Sequence, residues 1–208
     1  MRPFCFLALL GASVLVRAHK FDLGKRSGGD CSAMPKGKGP VPSPDSPYAF
    51  LNSEELASAA NKAPTPSGYK QSFKNLHAST TANGYLGYVA LDSYDTTLCA
   101  SKCDEQESCQ AINIFFERNP TLQVGSECPN PPSTTYIKCV FWGDLVTKDN
   151  TNNTGYTNNA FLVVAAGSNG YNNQTAKGVE GFASKGLSTP GAALLVVPLL
   201  AMILAILP

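Results

Sequence analysis

The stretch from Cys99 to Cys139 constrains this chain more than any other. It opens LCASKCDEQESCQAINIFFER and closes TTYIKCVFW. Cys99 and Cys103 are four residues apart, so on a helix they lie one turn above the other on a single face. Cys109 follows a short polar turn and begins a strand-like run, and Cys139 sits in a second such run. The pattern predicts a helix stapled by disulfides to a sheet. Of the seven cysteines, Cys5 falls in an apolar leader, and the other six form an even set. An even set suits a disulfide framework built in an oxidising compartment.

The two ends read as targeting sequence. Residues 1–18 carry Arg2, then an apolar run from Phe4 to Val16 and a cut after Ala18, the layout of a signal peptide. The apolar run is too short to span a membrane comfortably. Lys25-Arg26 is a dibasic pair that would release residues 19–26 as a propeptide; equally, it is an ordinary pair of surface charges. At the other end, an apolar tail runs from Ala192 to Pro208 and carries no charge. Small residues and a short polar spacer precede it. This is the arrangement of a glycosylphosphatidylinositol attachment signal, with Ser184 or Gly181 as the attachment residue. The expected tail is 185–208, and 171–184 is the linker that holds the attachment region. Pro198 and the lack of following lysines argue against a single-pass helix.

Between the ends, residues 27–67 are rich in Pro, Gly and Ser and predict a disordered linker. Within it Ser53 can cap a short helix that begins with Glu54 and Glu55. The domain is expected over 68–170. Tyr69 to His77 and Tyr85 to Leu91 alternate as strands do, with Asn83-Gly84 as a turn. Asp95 caps the cysteine helix, whose Leu98, Cys99 and Cys103 are expected to face the sheet. Ile112, Ile114 and Phe116 share one face of the next strand, and Ile137, Cys139 and Phe141 share one face of the strand after it. Ala160 to Ala165 is expected to close the sheet, with Asn/Gly-rich linker beyond.

The cysteine spacing and Lys138-Cys-Val-Phe-Trp resemble the PAN/apple superfamily. The run from Asn83-Gly-Tyr-Leu-Gly-Tyr through Leu91-Asp-Ser-Tyr-Asp, the cysteine helix, Phe115-Phe-Glu-Arg and Val140-Phe-Trp-Gly is similar to secreted filamentous-fungal proteins with apple-like domains. The resemblance implies an α+β fold, a small disulfide-stapled antiparallel sheet with one main helix packed on it. It also implies the pairs Cys99–Cys139 and Cys103–Cys109, which leaves Cys31 with Cys128. The six cysteines alone allow many connectivities.

Net charge is +1 with 15% charged residues and no basic stripe, so nucleic-acid binding has no support. Only two histidines are present, His19 and His77, and no G-x-S-x-G elbow, so a nucleophilic triad is poorly founded. Cleavage after Ala18 would expose His19 as an N-terminal residue, and with His77 it could clamp copper. That gives one alternative, a copper-binding surface protein or oxidase-like enzyme. Asp104, Glu105 and Glu107 read as a solvated charge run. Trp142 and Phe115 face away from Cys139 by strict alternation. They form either an exposed aromatic platform for a sugar or partner protein, or a second small core beneath a long loop. Asn152 and Asn173 stand in N-x-T sequons in turn-prone sequence.

Together these features predict a secreted, GPI-anchored, non-catalytic binding or adhesion module without a cofactor. It would sit outside the cell on the plasma membrane or wall, with carbohydrate or extracellular protein as its ligand. A structural cell-wall protein is the remaining alternative.

Overall fold

The cysteine helix forms where Asp95 predicts it. The computed structural model describes residues 31–175 and places α3 at Thr96–Asp104. The Asp95 carboxylate accepts from the Leu98 backbone N–H at 2.8 Å, satisfying one of the open donors at the helix start. Two helices precede it, the short α1 at Pro47–Leu51 and α2 at Glu54–Lys62, which is as long as α3; Ser46 and Ser53 cap them. The expected signal, propeptide and anchor regions, with His19, Gly181 and Ser184, lie outside the described residues.

Five strands make one antiparallel sheet. They are β1 Tyr69–Leu76, β2 Tyr85–Leu91, β3 Ala111–Pro120, β4 Ser133–Trp142 and β7 Ala165–Asn173, in the order β1-β7-β3-β4-β2. A separate ribbon pairs β5 Tyr156–Asn158 with β6 Phe161–Val163. The main core lies on the helix side of the sheet. Ile112, Ile114 and Phe116 meet Ile137, Cys139 and Phe141 there, with Cys99 and Cys103 from α3 and Leu56 from α2. Each fully buried aliphatic or aromatic side chain of this kind contributes about 1.5–3 kcal/mol.

Three disulfides fasten the parts, and they join the pairs that the resemblance implies. Cys99–Cys139 ties α3 to β4, and Cys103–Cys109 ties the end of α3 to the turn before β3. Cys31–Cys128 closes a sequence separation of 97 residues. By limiting the unfolded chain, a closure of that length stabilises by about 4–5 kcal/mol in the chain-entropy account.

Several expectations are corrected. Residues 31–67 are not a disordered linker but pack on the sheet. The Gly37 backbone N–H donates to Thr134 Oγ1 at 2.9 Å, and that of Gly39 to the Thr135 carbonyl at 3.0 Å. Glycine is needed at 37 because a Cβ there would run into the Thr135 carbonyl. Further along, Asp45 accepts from the Arg118 guanidinium at 2.9 Å and from Ser133, while Phe50 and Leu56 enter the core. The sheet therefore carries two nine-residue helices on this face rather than one main helix. Leu98 does not face the sheet. It is 41% exposed, and the buried face of α3 is Thr96, Cys99, Ala100 and Cys103. The closing strand is not 160–165 but β7, which continues through the Asn/Gly-rich run to Asn173 and lies between β1 and β3. The domain thus exceeds 68–170 at both ends, and the expected linker from 171 begins inside a strand.

Candidate functional site

The far face of the sheet carries a second core. Phe115 and Trp142 are 3% and 6% exposed, so they form no surface platform. Phe73, Val140 and Val146 pack with them, and Leu76 and Ala82 close the rim. The covering loops are held by polar contacts. Thr80 N–H donates to Asn113 Oδ1 at 2.9 Å, and the hydroxyls of Thr80 and Thr151 lie 3.0 Å apart. The reading of a loop-covered second core is the one the structure has. Trp142 Nε1 is buried without a hydrogen-bond partner among the described residues.

The exposed aromatics on this face are instead Tyr85 and Tyr88, 57% and 51% exposed. Residues three apart on a regular strand point to opposite faces. Here the β2–β4 register shifts between Tyr85 and Gly87, so Tyr85 pairs with Trp142 and Tyr88 with Val140. Trp142 and Val140 share a face, and both tyrosines therefore share it too. Gly87 makes the bulge possible, because its φ of 108° is one that side chains with a Cβ rarely adopt. Sequence alternation alone missed this pair. The signal that could have found it is a lone glycine inside a strand-like run, which marks a bulge.

Both rings are held. Tyr85 packs against Trp142 at 63° with centroids 5.5 Å apart. Lys138 Nζ lies 4.7 Å from the Tyr88 ring centroid, a cation–π contact. The same ammonium pairs with Glu117 at 2.5 Å, and Glu117 also accepts from Asn119 at 2.8 Å. The result is an aromatic strip along an edge strand, with its neighbouring lysine already neutralised. Leu86, 37% exposed, sits in the bulge between the two rings.

The remaining candidates are dispersed. His77 is exposed at the end of β1. No group of three His, Cys, Asp or Glu suited to a metal ion occurs among the described residues. Asp104, Glu105 and Glu107 are all exposed, as a solvated run should be, and Asp104 also accepts from the Tyr69 hydroxyl at 2.7 Å. Burial raises the phenols of Tyr69, Tyr94 and Tyr171, so they act as neutral hydrogen-bonding groups. Burial also pushes the Asp45 carboxyl up. The bonds it accepts from Ser133 and Arg118 outweigh that and hold it below the ordinary carboxylate value.

The two sequons differ. Asn152 is exposed and accepts from the Thr81 hydroxyl at 2.6 Å. Asn173 is only 5% exposed, contrary to the expectation of a projecting loop residue. It is the last residue of β7 and reaches under the end of α3.

No family model, curated protein or solved structure matches this chain.

Proposed function

We propose that the chain is a secreted, GPI-anchored, non-catalytic binding module of the PAN/apple kind, and that it holds neutral carbohydrate against Tyr85 and Tyr88. The observation that carries the reading is the pair of half-exposed tyrosine rings on one sheet face. Their pairing partners on β4 are two residues apart, a rise of roughly 6.8 Å. Two rings so placed on one face can lie under a single sugar chain and present apolar faces to it. The rings are braced by Trp142 and Lys138, so little side-chain freedom is lost on binding. Lys138 is paired with Glu117, which favours a neutral glycan over an acidic one. The resemblance supports the binding role, and the apolar tail after Ala192 supports the anchor.

The test is co-sedimentation of the secreted protein with insoluble β-glucan, chitin and mannan. A Tyr85→Ala/Tyr88→Ala double variant should lose binding at least about tenfold, since about 1.4 kcal/mol is one decade in affinity. Binding should persist in high salt, because no charge pair is being screened. Equal binding by the double variant, or no binding to any polysaccharide, overturns the carbohydrate reading and leaves a protein ligand. Release from cells by phosphatidylinositol-specific phospholipase C tests the anchor separately.

A further inference from the structure

We infer that only one of the two sequons is an N-glycan site: the folded protein carries its glycan on Asn152, and Asn173 is a structural residue that cannot be glycosylated in this fold. The inference rests on the secreted reading. Glycan transfer joins the asparagine Nδ2 to the anomeric carbon of a lipid-diphosphate-linked oligosaccharide. The C–N bond forms, the C–O bond to diphosphate breaks, the lipid diphosphate departs and the amide gives up one proton. The product nitrogen keeps one hydrogen and gains a whole sugar, so it needs open space.

At Asn173 that space is absent. Nδ2 donates to Asp104 Oδ1 at 3.2 Å and to the Tyr69 hydroxyl at 3.4 Å. Oδ1 accepts from the Thr175 backbone N–H and from the Thr175 hydroxyl, both at 2.8 Å. The residue is 5% exposed. A sugar on Nδ2 would have to lie where Tyr69 and the C-terminal end of α3 meet. The amide instead clamps α3 to the β1–β7 edge, because Asp104 is the last residue of α3 and Tyr69 the first of β1. The sequon threonine is used for the local turn.

At Asn152 the opposite holds. The residue is exposed, and its neighbours Asn153 and Thr154 are exposed as well. Its carbonyl oxygen is oriented by Thr81, and no described hydrogen bond uses its Nδ2. The loop is anchored from beneath by the Ser79–Asn153 bridge and by Thr151, which is 7% exposed. A glycan there would stand on the loop that covers the second core without disturbing it.

The experiment expresses the full chain in a glycosylating eukaryotic host and recovers it from the medium and, by phospholipase C, from the cell surface. The recovered protein is treated with N-glycosidase in ¹⁸O-water and mapped by peptide mass. Labelled aspartate is expected at 152, with unconverted asparagine at 173. Asn152→Gln should remove the whole glycosidase-sensitive mobility shift, and Asn173→Gln should leave the shift of any secreted material intact. Wild-type mapping decides the matter even where Asn173→Gln fails to fold. Label at 173, or none at 152, in protein recovered from the medium or the cell surface overturns the inference alone. A chain found only in the cytosol overturns the secreted reading and takes this inference with it.

Discussion

Strands β3 and β7 lie side by side in the middle of the sheet, and almost every residue of both is buried. Their sequences share little. β3 reads AINIFFERNP and fills its surroundings with Ile112, Ile114, Phe115 and Phe116. β7 reads AAGSNGYNN, a composition depleted in strand formers. It earns its central place by two other means. Where Gly170 has no side chain, the Phe73 ring occupies the space that a Cβ would take. Where asparagines are buried, their amides are satisfied. Asn169 Oδ1 accepts from the Asn75 N–H at 2.8 Å, and its Nδ2 donates to the Ala60 carbonyl at 2.8 Å and the Tyr171 hydroxyl at 3.1 Å. From β3, Asn113 donates across to Ser168 Oγ and the Asn169 carbonyl. A strand can be central because it is apolar, or because its neighbours use its gaps and its amides.

The sharpest way to break that comparison is to substitute one residue in each strand. Ile114→Ala should cost about 3 kcal/mol through lost transfer energy and a cavity. Asn169→Leu, which would favour an ordinary core strand, should instead cost about 2–3 kcal/mol, because the Ala60 carbonyl and the Asn75 N–H lose this partner and the Tyr171 hydroxyl keeps only Gln71. Urea unfolding reads both. A more stable Asn169→Leu would show that β7 is held by something other than its amides.

The next effect is smaller and specific to the gap. Gly170→Ala should lose about 1–3 kcal/mol by overpacking Phe73. Adding Phe73→Leu should make the second change cheaper than it is alone, so a double-mutant cycle should show clear coupling. Additive losses would mean that ring and strand do not share that space.

The smallest effect concerns the N-terminal segment, which β3 holds through Arg118. Asp45 is the partner, and its side chain is 32% exposed, so solvent screening keeps the contribution modest. Its folded carboxyl titrates below the unfolded value of about 4. The stabilisation is therefore complete above about pH 4 and is lost as the pH falls through the folded value. Asp45→Asn should cost about 1 kcal/mol at neutral pH and less at low pH, where the wild-type carboxyl is protonated as well. Denaturant midpoints taken between neutrality and acid would show the two proteins converging; a constant gap would place the effect elsewhere.

The same contrast explains what could be read beforehand. The caps at Ser53 and Asp95, the inner faces of β3 and β4, and the α3 cysteines are all local patterns, and local patterns were legible. The packing of the Pro/Gly-rich segment from 31 to 67 is not legible locally, because its glycines fit against Thr134 and Thr135, far along the chain. The aromatic site was half legible. Alternation assigns Trp142 and Phe115 to the face they occupy, but the loop carrying Val146 covers them. The exposed pair is Tyr85 and Tyr88, whose common face depends on the bulge at Gly87.

By itself, then, the order of residues determined the elements whose caps and apolar periodicity are written within a few positions: the starts of α2 and α3, the strands β3 and β4, and a cysteine set sufficient for three bridges. Tertiary structure alone decided that an asparagine- and glycine-rich run would be the strand between β1 and β3, that Asn173 would be buried while Asn152 stays open, and which aromatic rings meet water. The physical reason is that burial of a small or polar residue is favourable only when a distant partner fits its gap or completes its hydrogen bonds, and that partner exists only once the chain has closed on itself.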